Sequence, residues 1–184
     1  MKKIVFFILF IFILVFGLWV FNKKPVPVET FSANAFMSSC LLFAGDLSGF
    51  EKAMHERKVS RLPDEKAKFF LKGRSGKAWG FAANGGQFAL TWLDDGVCTF
   101  FVREADIELF IKKLNEKFIK MNNEQGVVFS PEGFPSGVSD LDAFGIKIQD
   151  AKASPLKTGT NIFLSTTSNK TKGLAIAIST KIGG

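Results

Sequence analysis

An unbroken apolar run from Ile4 to Phe21 constrains this chain more than any other feature. As a helix, these 18 residues would be about 27 Å long, close to the hydrocarbon thickness of a bilayer. Trp19 and Phe21 mark its far end, where aromatic rings favour the interface. Asn22-Lys23-Lys24 closes it, and Pro25 and Pro27 stop helix continuation. Residues 1–24 are therefore expected to form a transmembrane signal anchor, followed by a stalk over 25–31 and one domain over 32–184. Two rival readings are weighed against this. A cleaved signal would have a shorter apolar run and a small-x-small site close behind it, yet Ala33-Asn34-Ala35 lies well downstream. Met37-Ser38-Ser39-Cys40 is a near miss to a lipidation box, also displaced from the run. A short basic N-terminus (Lys2, Lys3) usually stays inside, which puts the domain in the periplasm of a bacterial inner-membrane protein.

Of the basic residues behind the +7 formal charge, Lys2, Lys3, Lys23 and Lys24 flank the apolar run and belong to membrane topology. From Thr30 onward 20 basic residues face 16 acidic ones, too small a surplus to argue for nucleic acid. One stretch is richer: Lys52, Arg57, Lys58, Arg61, Lys66, Lys68, Lys72, Arg74 and Lys77 outnumber the acids among them. They form either a solvated face or a candidate surface for an anionic partner. Phe is abundant (22) and Tyr is absent, so tyrosine-based catalysis is excluded.

The pattern of the domain is helical first. Ser32 can cap a helix that carries Phe36, Met37, Cys40, Leu41 and Ala44 on one face, ended by Gly45. Ser48-x-x-Glu51 reads as a capping box for a second helix with Phe50, Ala53 and Met54 inward. Leu62-Pro63-Asp64-Glu65 opens a third, in which Ala67, Phe70 and Leu71 can pack before Gly73. Period two then takes over. Strands over 77–83, 87–93 and 97–103, joined at Asn84-Gly85-Gly86 and Asp94-Asp95-Gly96, make a β-meander. From Ala105 to about Met121, Ile107, Phe110, Ile111, Leu114, Phe118 and Met121 form one apolar stripe. Further strands are expected over 126–130, 143–149, 160–167 and 174–182, with a loop over 131–142. The fold class is α+β: a mainly antiparallel sheet of six or seven strands, the meander at its centre, with helices packed on one face.

Chemistry-bearing constellations are sparse. Two cysteines outside the cytosol, Cys40 and Cys98, favour a disulfide, the alternative being two buried thiols. The single histidine, His55, has no metal-ligand spacing around it and reads as a helix surface residue. Gly73-Arg74-Ser75-Gly76-Lys77 lacks the spacer and following Ser/Thr of a phosphate loop, and a strand follows instead of a helix. Asp94-Asp95 read as turn residues. No catalytic residue, metal ligand or cofactor is expected, and the 131–142 loop is the default place for a binding site.

A resemblance adds location rather than activity. Cys40-x4-Gly45, Leu62-Pro63, Ala67-x-x-Phe70, Gly73-x-x-Gly76-x-Ala78-Trp79 and Gly96-x-Cys98 resemble a group of proteobacterial envelope (lipo)proteins. The resemblance covers roughly residues 40–120, implies an envelope location and favours pairing of Cys40 with Cys98. The expected function is a membrane-anchored periplasmic binding domain, an accessory subunit with a protein partner in an envelope or secretion assembly. The alternatives are binding of an anionic lipid headgroup or cell-wall fragment through residues 52–77, and a hydrolase using His55 or an Asp of 94–95.

Overall fold

A computed structural model describes residues 25–132, 143–151, 154–166 and 175–182. The expected span over residues 4–21 lies outside the described residues. Among the described residues, no helix is long and apolar enough to cross a membrane.

The expected stalk is shorter than its boundaries implied. Helix α1 (Val28–Phe36) begins directly after Pro27, whose φ of −54° already suits a helix start. Phe31 packs against Phe81 and Phe88, so the domain begins before residue 32. Ser32 does not cap. It sits inside α1 and its hydroxyl donates to the Val28 carbonyl at 2.6 Å, the back-bond a mid-helix serine makes. The helix continues through a π turn over Met37–Leu41. Helix α2 (Leu47–Glu56) is capped by Asp46, whose carboxylate accepts the Gly49 amide at 2.9 Å. The Ser48–Glu51 box is therefore not used, and Glu51 pairs with Lys77 at 2.6 Å instead.

After a two-residue edge strand, β1 (Ser60–Arg61), Pro63 introduces α3 (Asp64–Leu71) as its sequence predicts. The meander follows: β2 (Gly76–Ala83), β3 (Gly86–Leu93) and β4 (Cys98–Val102). Helix α4 (Ile107–Gln125) starts at Asp106, which accepts the Leu109 amide at 3.0 Å, and ends at Gly126 with φ 62°. That ending shifts the next strand, β5 (Val128–Glu132), two residues along from its expected start and takes Pro131 and Glu132 out of the expected loop. The rest of that loop, 133–142, lies outside the described residues. Then come β6 (Ala143–Asp150), β7 (Thr160–Thr166) and β8 (Ile176–Ile182).

Among the described residues eight strands, where six or seven were expected, form one antiparallel sheet in the order β1-β2-β3-β4-β8-β7-β6-β5, so the β2–β4 meander lies in one half of the sheet and not at its centre. It consists of two four-stranded meanders, and the connection through α4 carries the chain from one to the far edge of the other. The two meet only at the β4–β8 seam, where Cys98 faces Thr180 and Phe100 faces Ile178.

Strand alternation sorts the side chains. Trp79, Leu90, Trp92, Phe100, Ile162, Leu164, Ile176 and Ile178 share the face covered by α1, α2 and α4. The α4 stripe is as predicted: Phe110, Leu114 and Phe118 are buried and Ile107, Ile111 and Met121 pack beside them. The expected placement of the helices also fails. The helices do not all lie on one face, because α3 packs on the opposite side, with Phe70 5.4 Å from Phe101. The sheet needs that cover: Ala89, Thr91, Leu93, Thr99 and Phe101 alternate with the main core residues and are buried as well.

Cys40 and Cys98 are disulfide-bonded, with Cα atoms 5.3 Å apart. The bond ties the π turn to β4, and both residues are fully buried.

Candidate functional site

The nine basic residues between Lys52 and Lys77 do not converge on one patch. The sheet divides them. Lys52 belongs to α2 and Arg57 and Lys58 follow it, on the main core side. Lys66 and Lys68 belong to α3 on the opposite side, with Lys72 just past its end. Arg61 lies on the β1 edge between them. Two of the nine are engaged in ion pairs: Arg74 with Asp95 at 2.5 Å and Lys77 with Glu51 at 2.6 Å. The first pair is exposed and contributes little to stability, and the second is half-buried at the surface.

On the α3 side, Phe69 is the most conspicuous residue. It is 60% exposed, with Lys66 one helical turn before it and Lys72 three residues on, at the left-handed end of the helix. Phe70 beside it turns inward onto Phe101, and two consecutive residues on a helix cannot both face a sheet. Nearby, a groove of about 370 Å³ between α3 and β2 is lined by Arg61, Lys68 and Arg74, with Asp64 as its acidic member.

On the other side, α1, the end of α2 and β2 enclose a cavity of about 500 Å³. Its floor is Phe31, Met54, Val59, Phe81, Leu90 and Phe100, and its rim carries Asn34, Ser38, Arg57 and Lys58. The Arg57 guanidinium is held across the rim by a 3.1 Å bond to the Ser38 carbonyl. That carbonyl is free because the π turn shifts the ladder: Leu42 donates to Met37 and Phe43 to Ser39. Neither Phe69 nor this floor was marked as functional by sequence reasoning. For Phe69 a signal existed, the Phe69-Phe70 pair on a short helix. For the floor none did, since its residues carry the same apolar pattern as the core, whereas Arg57 and Lys58 of the rim belong to the basic stretch marked in the sequence.

The candidates for catalysis stay apart from these sites. His55 is exposed on α2, and Asp94 and Asp95 are exposed in the β3–β4 turn. Asp95 accepts the Val97 amide at 3.4 Å and pairs with Arg74, as a turn residue does. None of the three lines the cavities described above. Among the described residues, no group of His, Cys, Asp and Glu is arranged to hold a metal ion. The Glu116 carboxyl is held below its ordinary range by its hydrogen bond from Lys113, but it is exposed on α4 and lines neither cavity described above.

No protein-family model, no curated protein and no solved structure matches this chain. The motif residues behind the envelope-protein resemblance have structural roles. Cys40 and Cys98 form the disulfide. Trp79 packs on Phe50, and Ala67 and Ala78 are buried. A Cβ at Gly45 would meet the Ile182 side chain, and one at Gly76 would meet the Trp92 carbonyl. The pattern is a framework for the first meander and its helices, with no residue of the cavity rim in it.

Proposed function

We propose that this chain is a membrane-anchored, non-catalytic binding domain of the bacterial envelope whose α3 face rests on anionic lipid headgroups. The observation that carries this reading is Phe69, exposed between Lys66 and Lys72. An apolar ring flanked by amines suits the interfacial region, where the ring enters the acyl boundary and the amines meet phosphate. Each lysine close to an anionic surface contributes up to about 1 kcal/mol, and the effect fades beyond a Debye length. The groove at Arg61, Lys68 and Arg74 adds cations on the same side. The apolar run at Ile4–Phe21 supports the reading by holding the domain near a bilayer.

The test uses the full chain in nanodiscs with a Phe69→Trp reporter in a Trp19→Phe background, which leaves Trp79 and Trp92 buried in the core as the only other indoles. Brominated acyl chains should quench its emission in phosphatidylglycerol discs, and high salt should relieve the quenching. Equal quenching in neutral phosphatidylcholine discs, or none in either, would sink the lipid reading. Recovery of a stoichiometric protein cross-linked at position 69 would instead favour the accessory-subunit reading.

A further inference from the structure

The cavity on the opposite side of the sheet from α3 is a separate feature, and nothing in the reading above uses it. We infer that it binds one single-chain anionic amphiphile, with the chain on Phe31, Met54, Phe81 and Phe100 and the head at Arg57 and Lys58. Three observations lead there.

The first is the chemistry of the lining. The floor is apolar, the rim is cationic, and none of the lining residues is acidic. A volume of about 500 Å³ falls within the range of small-molecule sites. A wholly apolar ligand would leave the two rim cations unused, and a wholly polar anion would leave the aromatic floor unused.

The second is the way Arg57 is held. Its Nη1 donates to the Ser38 carbonyl, which the π turn has released from the helix ladder. A guanidinium has five N–H donors, so one fixed bond leaves the others for ligand oxygens. Binding then loses less side-chain entropy than it would with a free arginine.

The third is backbone strain at Lys58. The Lys58 amide donates to the His55 carbonyl and the Val59 amide to the Met54 carbonyl, the hydrogen bonds of a Schellman ending. The residue that closes such an ending is usually glycine, because it takes the left-handed conformation. Here Lys58 does so at φ 55°. Strained non-glycine residues cluster where function requires a particular side chain. Lys72 and Asn84 also take the left-handed conformation, and of the three Lys58 is the one that lines this cavity.

This site is distinguished from the α3 surface by where a ligand attaches. The full chain in neutral phosphatidylcholine nanodiscs would be photolabelled with a diazirine-bearing dodecanoate and, separately, with the corresponding dodecanol. Labelled peptides should map to residues 28–39, 54–59 and 81–83, and unlabelled dodecanoate should compete. The carboxylate should label these peptides at least about tenfold more than the alcohol. Lys58→Gly relieves the backbone strain, so it should melt at the same temperature or higher while its labelling falls about tenfold. Equal labelling by the alcohol would overturn the inference. So would labelling confined to other segments, or a well-folded Lys58→Gly that labels as well as the parent.

Discussion

The Thr180 hydroxyl donates to the Cys40 carbonyl at 3.1 Å, while the sulfur of Cys40 is bonded to Cys98, the register partner of Thr180. One residue of the π turn is thus gripped from both sides of the β4–β8 seam. That seam is where the two meanders join. A covalent bond holds the turn to the first meander and a buried hydrogen bond holds it to the second.

Replacing Thr180 with valine keeps the volume and removes the hydroxyl. The buried Cys40 carbonyl loses this partner, so the expected loss is about 1–3 kcal/mol. Urea unfolding should show a lower midpoint with an unchanged slope. An unchanged midpoint would mean that the bond contributes nothing at the seam.

The disulfide closes a loop whose ends are 58 residues apart. In the chain-entropy model that restraint is worth roughly 4 kcal/mol. The double variant Cys40→Ala, Cys98→Ala should lose about that much in equilibrium unfolding. Mass spectrometry of the unfolded, unreduced parent with a maleimide should show no added label, and reduction should add two. Label without reduction would contradict the pairing.

Phe50 sits 5.0 Å from the rings of both Trp79 and Trp92 and is fully buried. It joins α2 to the first meander. Phe50→Ala is expected to cost about 3–5 kcal/mol. The tryptophan signals in the near-ultraviolet circular dichroism spectrum should weaken at temperatures where the variant remains folded. Retention of both the signals and the stability would show that the cluster tolerates a void.

Much of this architecture was legible in the residues. The meander showed because glycine-containing turns separate short apolar strands, and Phe88, Leu90 and Trp92, which alternate in β3, do face the main core. The α4 stripe showed because three- and four-residue spacing has one geometric solution. Cap assignments were weaker. Asp46 and Ser48 are both good caps and only two residues apart, and the helix uses Asp46. Ser32 looked like a start because the helix preceding it, Val28–Phe31, follows two prolines that read as extended chain. The position of α3 was hidden for a different reason. Ala89, Thr91 and Phe101 are apolar enough to be buried, but alternation cannot tell a two-sided strand from a one-sided one when both faces carry such residues. The cavity and the division of the basic residues depend on which side of the sheet each helix takes, which is a tertiary fact.

Chain order gives the seam a temporal meaning. Everything that the disulfide joins lies in the first meander and the helices before it, so that half can be closed covalently before β5 to β8 exist. Its open border is then β4, whose Phe100, Phe101 and Val102 present an unpaired hydrogen-bonding edge. The strand that caps it comes late: Thr99 meets Ser179 across 80 residues of sequence. An apolar edge left waiting is a template for the wrong partner, including a second copy of itself. If the disulfide closes before β8 is in place, the half-built sheet is locked in shape but still adhesive along one side.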